Sequence, residues 1–218
     1  MTDFLYPFIE SEERDAPALL ADLARSAESK ARQSAELRSV TLSTQADVIA
    51  RAADAMATRF AAGGRLFTFG NGGSATDAAG AAALFMSPLE GHPLPARSLA
   101  DEAVVTALGN DVGFGIVFSR QLIAYGGERD IAFGVSTSGS SENVLAAFGE
   151  ARRRGLLTVG LAGFDGGQMA VSPDVDHCIV VAADSVHRVQ EVQAAVTLAL
   201  WEAVRRALGA PSAPVTGR

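Results

Sequence analysis

Two turns rich in serine and glycine contain the residues of this 218-residue chain whose types and spacing could do chemistry. The first is Gly70-Asn71-Gly72-Gly73-Ser74, and the second is Ser136-Thr137-Ser138-Gly139-Ser140-Ser141. Each turn follows a short apolar run and precedes a helical pattern, so its backbone N–H groups and hydroxyls should face an anion. Hydroxyls and turn N–H groups can bind all the oxygens of a phosphate without a cation. The pair of turns therefore predicts a pocket for a phosphorylated ligand.

Simple helix capping by Ser140 or Ser141 is the competing interpretation of the second turn. Capping needs one hydroxyl, whereas residues 136–141 supply five, which favours anion binding. The first turn has neither the G-x-G-x-x-G spacing of a dinucleotide site nor the Gly-Lys-Ser/Thr ending of a nucleotide-hydrolase loop. Asn71 and Ser74 of this turn offer hydrogen bonds to sugar hydroxyls or to a phosphate.

The elements that must position these turns are short apolar strands alternating with helices. Such alternation predicts an α/β fold, a doubly wound, flavodoxin-like parallel sheet covered on both faces, and its ligand should bind beyond the carboxyl ends of the strands. The five predicted strands are residues 65–69, 94–98, 130–135, 158–162 and 177–182.

Three regions are expected along the chain. Residues 1–61 should form an amino-terminal helical segment, with two or three helices joined near residues 41–43. Residues 62–208 should form the α/β domain, in which residues 112–124 are predicted to be helical. The tail, residues 209–218, contains two prolines and is expected to be disordered.

Composition limits the possible partners of the chain. Hydrophobic residues make up 48% and charged residues 20%, which is globular rather than disordered composition. The formal net charge of −7 disfavours direct binding to nucleic acid, because that affinity comes mainly from Lys and Arg. Cys178 is the only cysteine, so no internal disulfide can form. No leader pattern or membrane-length apolar run is seen, and we expect a cytoplasmic protein without a membrane partner.

Six motifs in order resemble the sugar isomerase (SIS) domain and, within it, the phosphoheptose isomerases. These enzymes interconvert sedoheptulose 7-phosphate and a heptose 7-phosphate. The resemblance covers roughly residues 50–204, and its specificity comes from the order and spacing of the motifs. They are Gly70-Asn71-Gly72-Gly73-Ser74-Ala75 with Asp77-Ala78, Gly109-Asn110-Asp111, Phe118-Ser119-Arg120, Ser136-Thr137-Ser138-Gly139, Gly166-Gly167-Gln168-Met169-Ala170 and Arg188-Val189-Gln190-Glu191.

The resemblance implies a phosphate pocket and a homotetramer or dimer with sites between subunits. It also implies that Asp101 and Gln190 lie near the sugar. The residues expected to bind the phosphate and complete its pocket are Asn71, Gly72, Ser74, Ser136, Thr137, Ser138 and Ser141.

The chain departs from the family at its metal centre. Phosphoheptose isomerases usually carry a His and, four residues later, a Glu after the first turn, and a second His follows the glutamine by eight residues. Here these positions are Gly80, Leu84 and Leu198, so only Gln190 remains of the four zinc ligands. A catalytic zinc site normally needs three protein ligands, and carbon-bound proton transfer needs a base. We therefore expect neither zinc nor another cofactor.

We therefore expect a phosphoheptose-isomerase-like protein that binds a sugar phosphate but lacks the family's zinc chemistry. Two alternatives remain open. The first is a metal-independent aldose–ketose isomerase in which His187 and Glu191 are the acid/base residues, although both positions also suit ordinary exposed residues of a helix. The second is a scaffold, because some proteins of this branch bind a replication initiator. The intact hydroxyl-rich turns favour retained ligand binding over a pure scaffold.

Overall fold

A computed structural model describes residues 16–88 and 91–209 of the chain. The predicted disorder of the tail lies outside the described residues, apart from Gly209. The helices are α1 (Ala16–Thr44), α2 (Ala46–Ala61), α3 (Gly73–Met86), α4 (Glu102–Asp111), α5 (Val117–Tyr125), α6 (Glu142–Arg153), α7 (Gly167–Val171) and α8 (Val186–Ala207). The strands are β1 (Leu66–Gly70), β2 (Ala96–Ser98), β3 (Ile131–Ser136), β4 (Leu157–Gly163) and β5 (His177–Val181).

All the strands run parallel in one sheet of order β2-β1-β3-β4-β5. This arrangement confirms the predicted doubly wound α/β fold. Every residue of β1, β3 and β4 is buried, because helices cover both faces of the sheet. In register, Gly70 pairs with Val135 and Ser136 pairs with Ala162, so the carboxyl ends of the central strands lie level with one another.

Each face of the sheet has its own hydrophobic core. Alternate strand residues contribute to opposite faces, so Phe133 packs with α2, α3 and α8, whereas Phe69 packs with α5 and α6. On the second face the Phe69 ring lies 5.6 Å from the ring of Phe118 and 5.4 Å from that of Phe148, measured between centroids. A Cβ on Gly134 would lie 2.5 Å from the Phe148 ring, so this glycine leaves the space that the ring fills.

An ion pair joins the amino ends of the two central strands. The Asp130 carboxylate accepts hydrogen bonds from the backbone and guanidinium N–H groups of Arg65, at 2.8 and 2.9 Å, and from Gly127 N at 3.0 Å. Arg65 also donates to the Tyr125 carbonyl at 2.9 Å. Its hydrogen bond with Asp130 raises the pKa of Arg65, although burial opposes this shift. This cluster, called below the Arg65–Asp130 lock, ties the starts of β1 and β3 to the end of α5.

Three boundaries differ from the sequence expectation. The described part of the amino-terminal region, residues 16–61, forms two helices that join at Gln45. The Gln45 side-chain oxygen accepts a hydrogen bond from Val180 N of β5 at 3.2 Å. The helix predicted from residue 112 starts later, because Gly113 has a φ of 101° and a short 3-10 turn (Phe114–Ile116) precedes α5. Strand β2 keeps only three residues of the predicted five.

The chain divides into two compact units, Met1–Glu36 and Leu37–Arg218. In the first unit, the described residues form the amino-terminal part of α1, with ion pairs between side chains one helical turn apart, such as Glu28 with Arg32. The second unit contains the sheet and both of its cores. No helix within the described residues is long and apolar enough to cross a membrane.

Candidate phosphate and sugar site

The two predicted turns follow neighbouring strands, β1 and β3, at the carboxyl edge of the sheet. The chain runs from β1 outward to β2 and then returns to β3 on the other side of β1. The connections after β1 and β3 therefore diverge and leave a crevice, which is where ligands bind in open parallel sheets. The glycine turn and the serine turn flank this crevice.

The glycine turn brings the backbone of α3 tightly against the end of β1. Gly72 has a φ of 56°, a left-handed conformation that glycine adopts without strain. A Cβ on Gly70 would lie 2.6 Å from the Ser74 carbonyl oxygen, so no side chain fits there. Ser74 is buried, and no side chain caps the start of α3. The turn therefore offers backbone and small polar groups at a helix amino terminus.

In the serine turn, hydroxyls converge on Ser136. The Ser136 Oγ lies 3.0 Å from Ser141 Oγ and 3.4 Å from Ser138 Oγ, and Ser138 Oγ accepts a hydrogen bond from Ser140 N at 3.2 Å. Ser136 is buried and Ser138 is exposed, so the cluster extends from the sheet edge to the surface. Thr137 lies half-buried between them.

Neither serine of the capping interpretation caps α6. Ser141 occupies the N-cap position, but its hydroxyl makes no capping hydrogen bond and lies beside Ser136. Ser140 Oγ instead accepts a hydrogen bond from Gln168 N of α7 at 3.1 Å. The hydroxyls of this turn therefore serve contacts other than the start of the helix.

The glycine-rich motif at residues 166–170 packs against the serine turn. Gly139 has a φ of 61°, and a Cβ there would lie 2.0 Å from the Gly166 carbonyl oxygen. The Gly139 carbonyl accepts a hydrogen bond from Met169 N at 2.8 Å. Phe164, just before this loop, is the only described non-glycine residue with a positive φ, 51°. The motif at residues 166–170 thus supports the serine turn.

A reciprocal amide pair joins the glycine turn to the start of α6. Asn71 Nδ2 donates to Asn143 Oδ1 at 2.8 Å, and Asn143 Nδ2 donates to Asn71 Oδ1 at 3.0 Å. Asn143 lies in the first turn of α6 and is buried. The Asn71 side chain, which was expected to contact ligand, is therefore engaged with α6. The sequence analysis did not identify Asn143, and the only signal for it was an asparagine soon after the serine turn.

Gln190 lies against the first turn of α3. Its Nε2 donates to Asp77 Oδ2 at 3.4 Å, and a Cβ on Gly73 would lie 2.1 Å from that nitrogen. Burial raises the pKa of the half-buried Asp77 carboxyl, while the hydrogen bond from Gln190 lowers it. Gln190 therefore lies beside the glycine turn, and Asp77 is its partner there.

The remaining candidates lie on helix ends. The Asp101 carboxylate caps α4 by accepting a hydrogen bond from Val104 N at 3.0 Å, and Asp101 is exposed. His187 is exposed in the first turn of α8. Glu191 is also exposed and forms an ion pair with Arg188, with 2.5 Å between the nitrogen and oxygen.

Apart from Gln190, the positions that the resemblance matches to the family's zinc ligands offer no metal-binding atoms here. Gly80 is exposed, and a Cβ added there would meet nothing within 4 Å. Leu84 is half-buried against the hydrophobic core, and the Leu198 side chain is 46% exposed. Within residues 16–88 and 91–209, no three His, Cys, Asp or Glu side chains cluster closely enough to hold a metal ion. The residues present do not fit a catalytic zinc site.

Comparison with known proteins places this geometry in a family. A family model described as "SIS domain" matches residues 31–163. The phosphoheptose isomerase of Solidesulfovibrio magneticus is 43% identical over 167 residues, which cover 75% of this chain and 80% of that protein. That of Roseiflexus sp. is 41% identical over 178 residues, or 80% of this chain and 89% of the relative.

A solved structure agrees with these sequence matches. The structure of phosphoheptose isomerase from Neisseria gonorrhoeae superposes with a TM-score of 0.78 at 30% identity, covering 84% of this chain and 99% of that one. The chain therefore belongs to the SIS domain family, among the relatives of phosphoheptose isomerase.

Proposed function

We propose that this protein binds a phosphorylated sugar of the sedoheptulose 7-phosphate type in the crevice between the glycine and serine turns. The convergence of Ser136, Ser138 and Ser141 hydroxyls without capping bonds to α6 is the observation that carries this proposal. The relatives named phosphoheptose isomerase support the choice of a sugar phosphate. The ligand's phosphate lies at the serine turn, and its hydroxyls reach toward Gln190.

The proposal includes loss of the family's zinc-dependent proton transfer. Gly80, Leu84 and Leu198 have neither metal-binding atoms nor a basic lone pair, so these positions cannot carry the enediol chemistry. The protein is therefore proposed to bind the sugar phosphate without the metal-dependent isomerisation.

A metal-independent isomerase is the second candidate, because the named relatives are isomerases and His187 lies one helical turn before Gln190. In that case His187 and Glu191 transfer the protons. Glu191 is paired with Arg188. A scaffold that binds another protein is the outcome if no sugar phosphate binds.

We also propose a homotetramer, or a dimer, in the cytoplasm, with no direct contact to nucleic acid. Asp77 is the only charged residue in the whole of α3, and the exposed residues of this helix are small or apolar. A solvated helix normally carries charges on its outer face. Light scattering after size exclusion tests the assembly, and a single-chain mass would contradict it.

Titration calorimetry with sedoheptulose 7-phosphate tests the binding proposal. Ser138→Ala should weaken binding about 10- to 100-fold, the usual loss for a hydrogen bond to a charged group. Ser87→Ala is the matched control, since that exposed serine follows the far end of α3, about 20 Å along the helix from the glycine turn. Absence of binding by the wild-type protein would contradict the proposal.

An NMR assay of the same sugar phosphate separates the two candidate functions. If the protein binds the sugar phosphate without isomerising it, the assay should show no conversion of the ketose phosphate to the aldose phosphate, whether or not zinc is added. Turnover that is lost in His187→Ala would instead establish the metal-independent isomerase.

A further inference from the structure

The amide of Gln190 contacts two residues of α3. Its Nε2 lies 3.4 Å from Asp77 Oδ2, and the amide also fills the space beside Gly73, where an added Cβ would lie 2.1 Å from the same nitrogen. The side chain is therefore confined between the first turn of α3 and the start of α8. The amide group itself could still be turned in two ways, with either its NH₂ or its oxygen facing Asp77.

The chemistry of Asp77 decides that orientation. An ionised carboxylate only accepts hydrogen bonds, so the group facing it must be the NH₂ of the amide. The Gln190 oxygen, Oε1, is then on the side turned away from Asp77. An oxygen presented in this way accepts a hydrogen bond from a hydroxyl, whereas the opposite orientation would present a donor.

We propose that Asp77 is a positioning residue that holds the Gln190 amide so that its Oε1 accepts a hydrogen bond from a hydroxyl of the bound sugar phosphate. This inference rests on the proposed function and deepens it, because it assigns one residue to selection of the sugar rather than of the phosphate. Asp77 touches Gln190 and acts through it. The amino-terminal part of α3 thereby contributes to recognition of the polyol part of the ligand.

Asp77→Asn tests the proposal with minimal structural change. Asparagine keeps the size of the side chain and an acceptor oxygen, but its NH₂ can also donate, so the Gln190 amide is free to take either orientation. We expect the affinity for sedoheptulose 7-phosphate to fall about 3- to 10-fold, in the range of one ordinary hydrogen bond. The affinity for inorganic phosphate should stay the same, because the proposed phosphate position is at the serine turn and does not involve the Gln190 amide.

A second substitution makes the test specific for the pair. Gln190→Met removes the amide and keeps the length of the side chain, and it should cost at least as much sugar affinity as Asp77→Asn. In the Gln190→Met background, Asp77→Asn should have no further effect, since the group that it orients is gone. Melting temperatures of all variants, compared with the wild type, verify that each is folded.

Three outcomes would overturn the inference. They are an unchanged sugar-phosphate affinity in Asp77→Asn, an equal loss for inorganic phosphate, and an equal further loss in the Gln190→Met background. Failure of the wild-type protein to bind sedoheptulose 7-phosphate would instead remove the proposed function itself, so the two failures are distinguishable.

Discussion

The Asn71–Asn143 amide pair provides a prediction whose size follows from the structure. Asn143→Ala removes both hydrogen bonds, of 2.8 and 3.0 Å, and leaves the half-buried amide of Asn71 without its partner. Each such bond contributes about 0.5–1.5 kcal/mol net, so the free energy of unfolding should fall by about 1–3 kcal/mol. The glycine turn also loses its connection to the start of α6, which follows the serine turn, so sugar-phosphate affinity should fall as well.

A double-mutant cycle separates this pairing from general damage to the site. Asn71→Ala and Asn143→Ala remove the same two hydrogen bonds, so the double variant should lose about 1–2 kcal/mol less than the sum of the single losses. Urea denaturation measures the free energies, and calorimetry measures the ligand affinity. Additive losses within about 0.5 kcal/mol would refute the reasoning, because independent sites behave in that way.

Asn110→Ala is the stability control for this cycle. Asn110 is exposed, and its amide donates a hydrogen bond to the carboxylate of its neighbour Asp111 at 3.1 Å. Removal of an exposed amide away from the core should change the free energy of unfolding by less than about 0.5 kcal/mol. If Asn110→Ala lowered the free energy of unfolding as much as Asn143→Ala does, the loss in Asn143→Ala could not be attributed to its burial and its pairing with Asn71.

Three further predictions concern other parts of the molecule. Gly139→Ala should lower the free energy of unfolding by about 3 kcal/mol in urea titrations and abolish ligand binding. The reason is that it places an alanine at a positive φ, with its Cβ 2.0 Å from the Gly166 oxygen. A folded variant with unchanged ligand affinity would contradict this prediction. Burial lowers the pKa of His177, so the unfolded chain takes up this proton first as the pH falls, and stability should decline below about pH 6.5. In urea titrations at several pH values, His177→Gln should remove that part of the decline, and an unchanged slope would count against it. A variant with Gly80→His, Leu84→Glu and Leu198→His supplies the family's missing zinc ligands. It should bind about one zinc ion beside Gln190 and melt at a higher temperature with zinc than without. If elemental analysis finds no zinc uptake, these positions of α3 and α8 do not match the family's ligand positions.

Sequence patterns predicted the fold because local signals determine most of it. Apolar runs bounded by turn residues marked all five strands, and their alternation with helices indicated a parallel sheet. The break at Gly113 escaped prediction because a glycine inside an apolar helical pattern does not reveal its own φ. Tertiary contacts decide which backbone conformation such a residue adopts.

The site was less accessible to sequence reasoning than the fold. Both turns could be located, since serine and glycine at strand ends have a direct chemical meaning. The pairing of Asn71 with Asn143 spans 72 residues, and that of Asp77 with Gln190 spans 113. Contacts over such separations leave no local spacing to read, so neither pairing was predicted.

The position of the Arg65–Asp130 lock has a consequence for how this fold changes over evolutionary time. The lock joins the amino ends of β1 and β3, whereas both turns leave their carboxyl ends, about 17 Å away along a five-residue strand. Substitutions at the turns and in the outer face of α3 therefore do not reach the groups that secure the start of the sheet. Residues at the carboxyl edge of the sheet can therefore change during evolution, and with them the chemistry of the site, while the contacts at the amino edge continue to stabilise the fold.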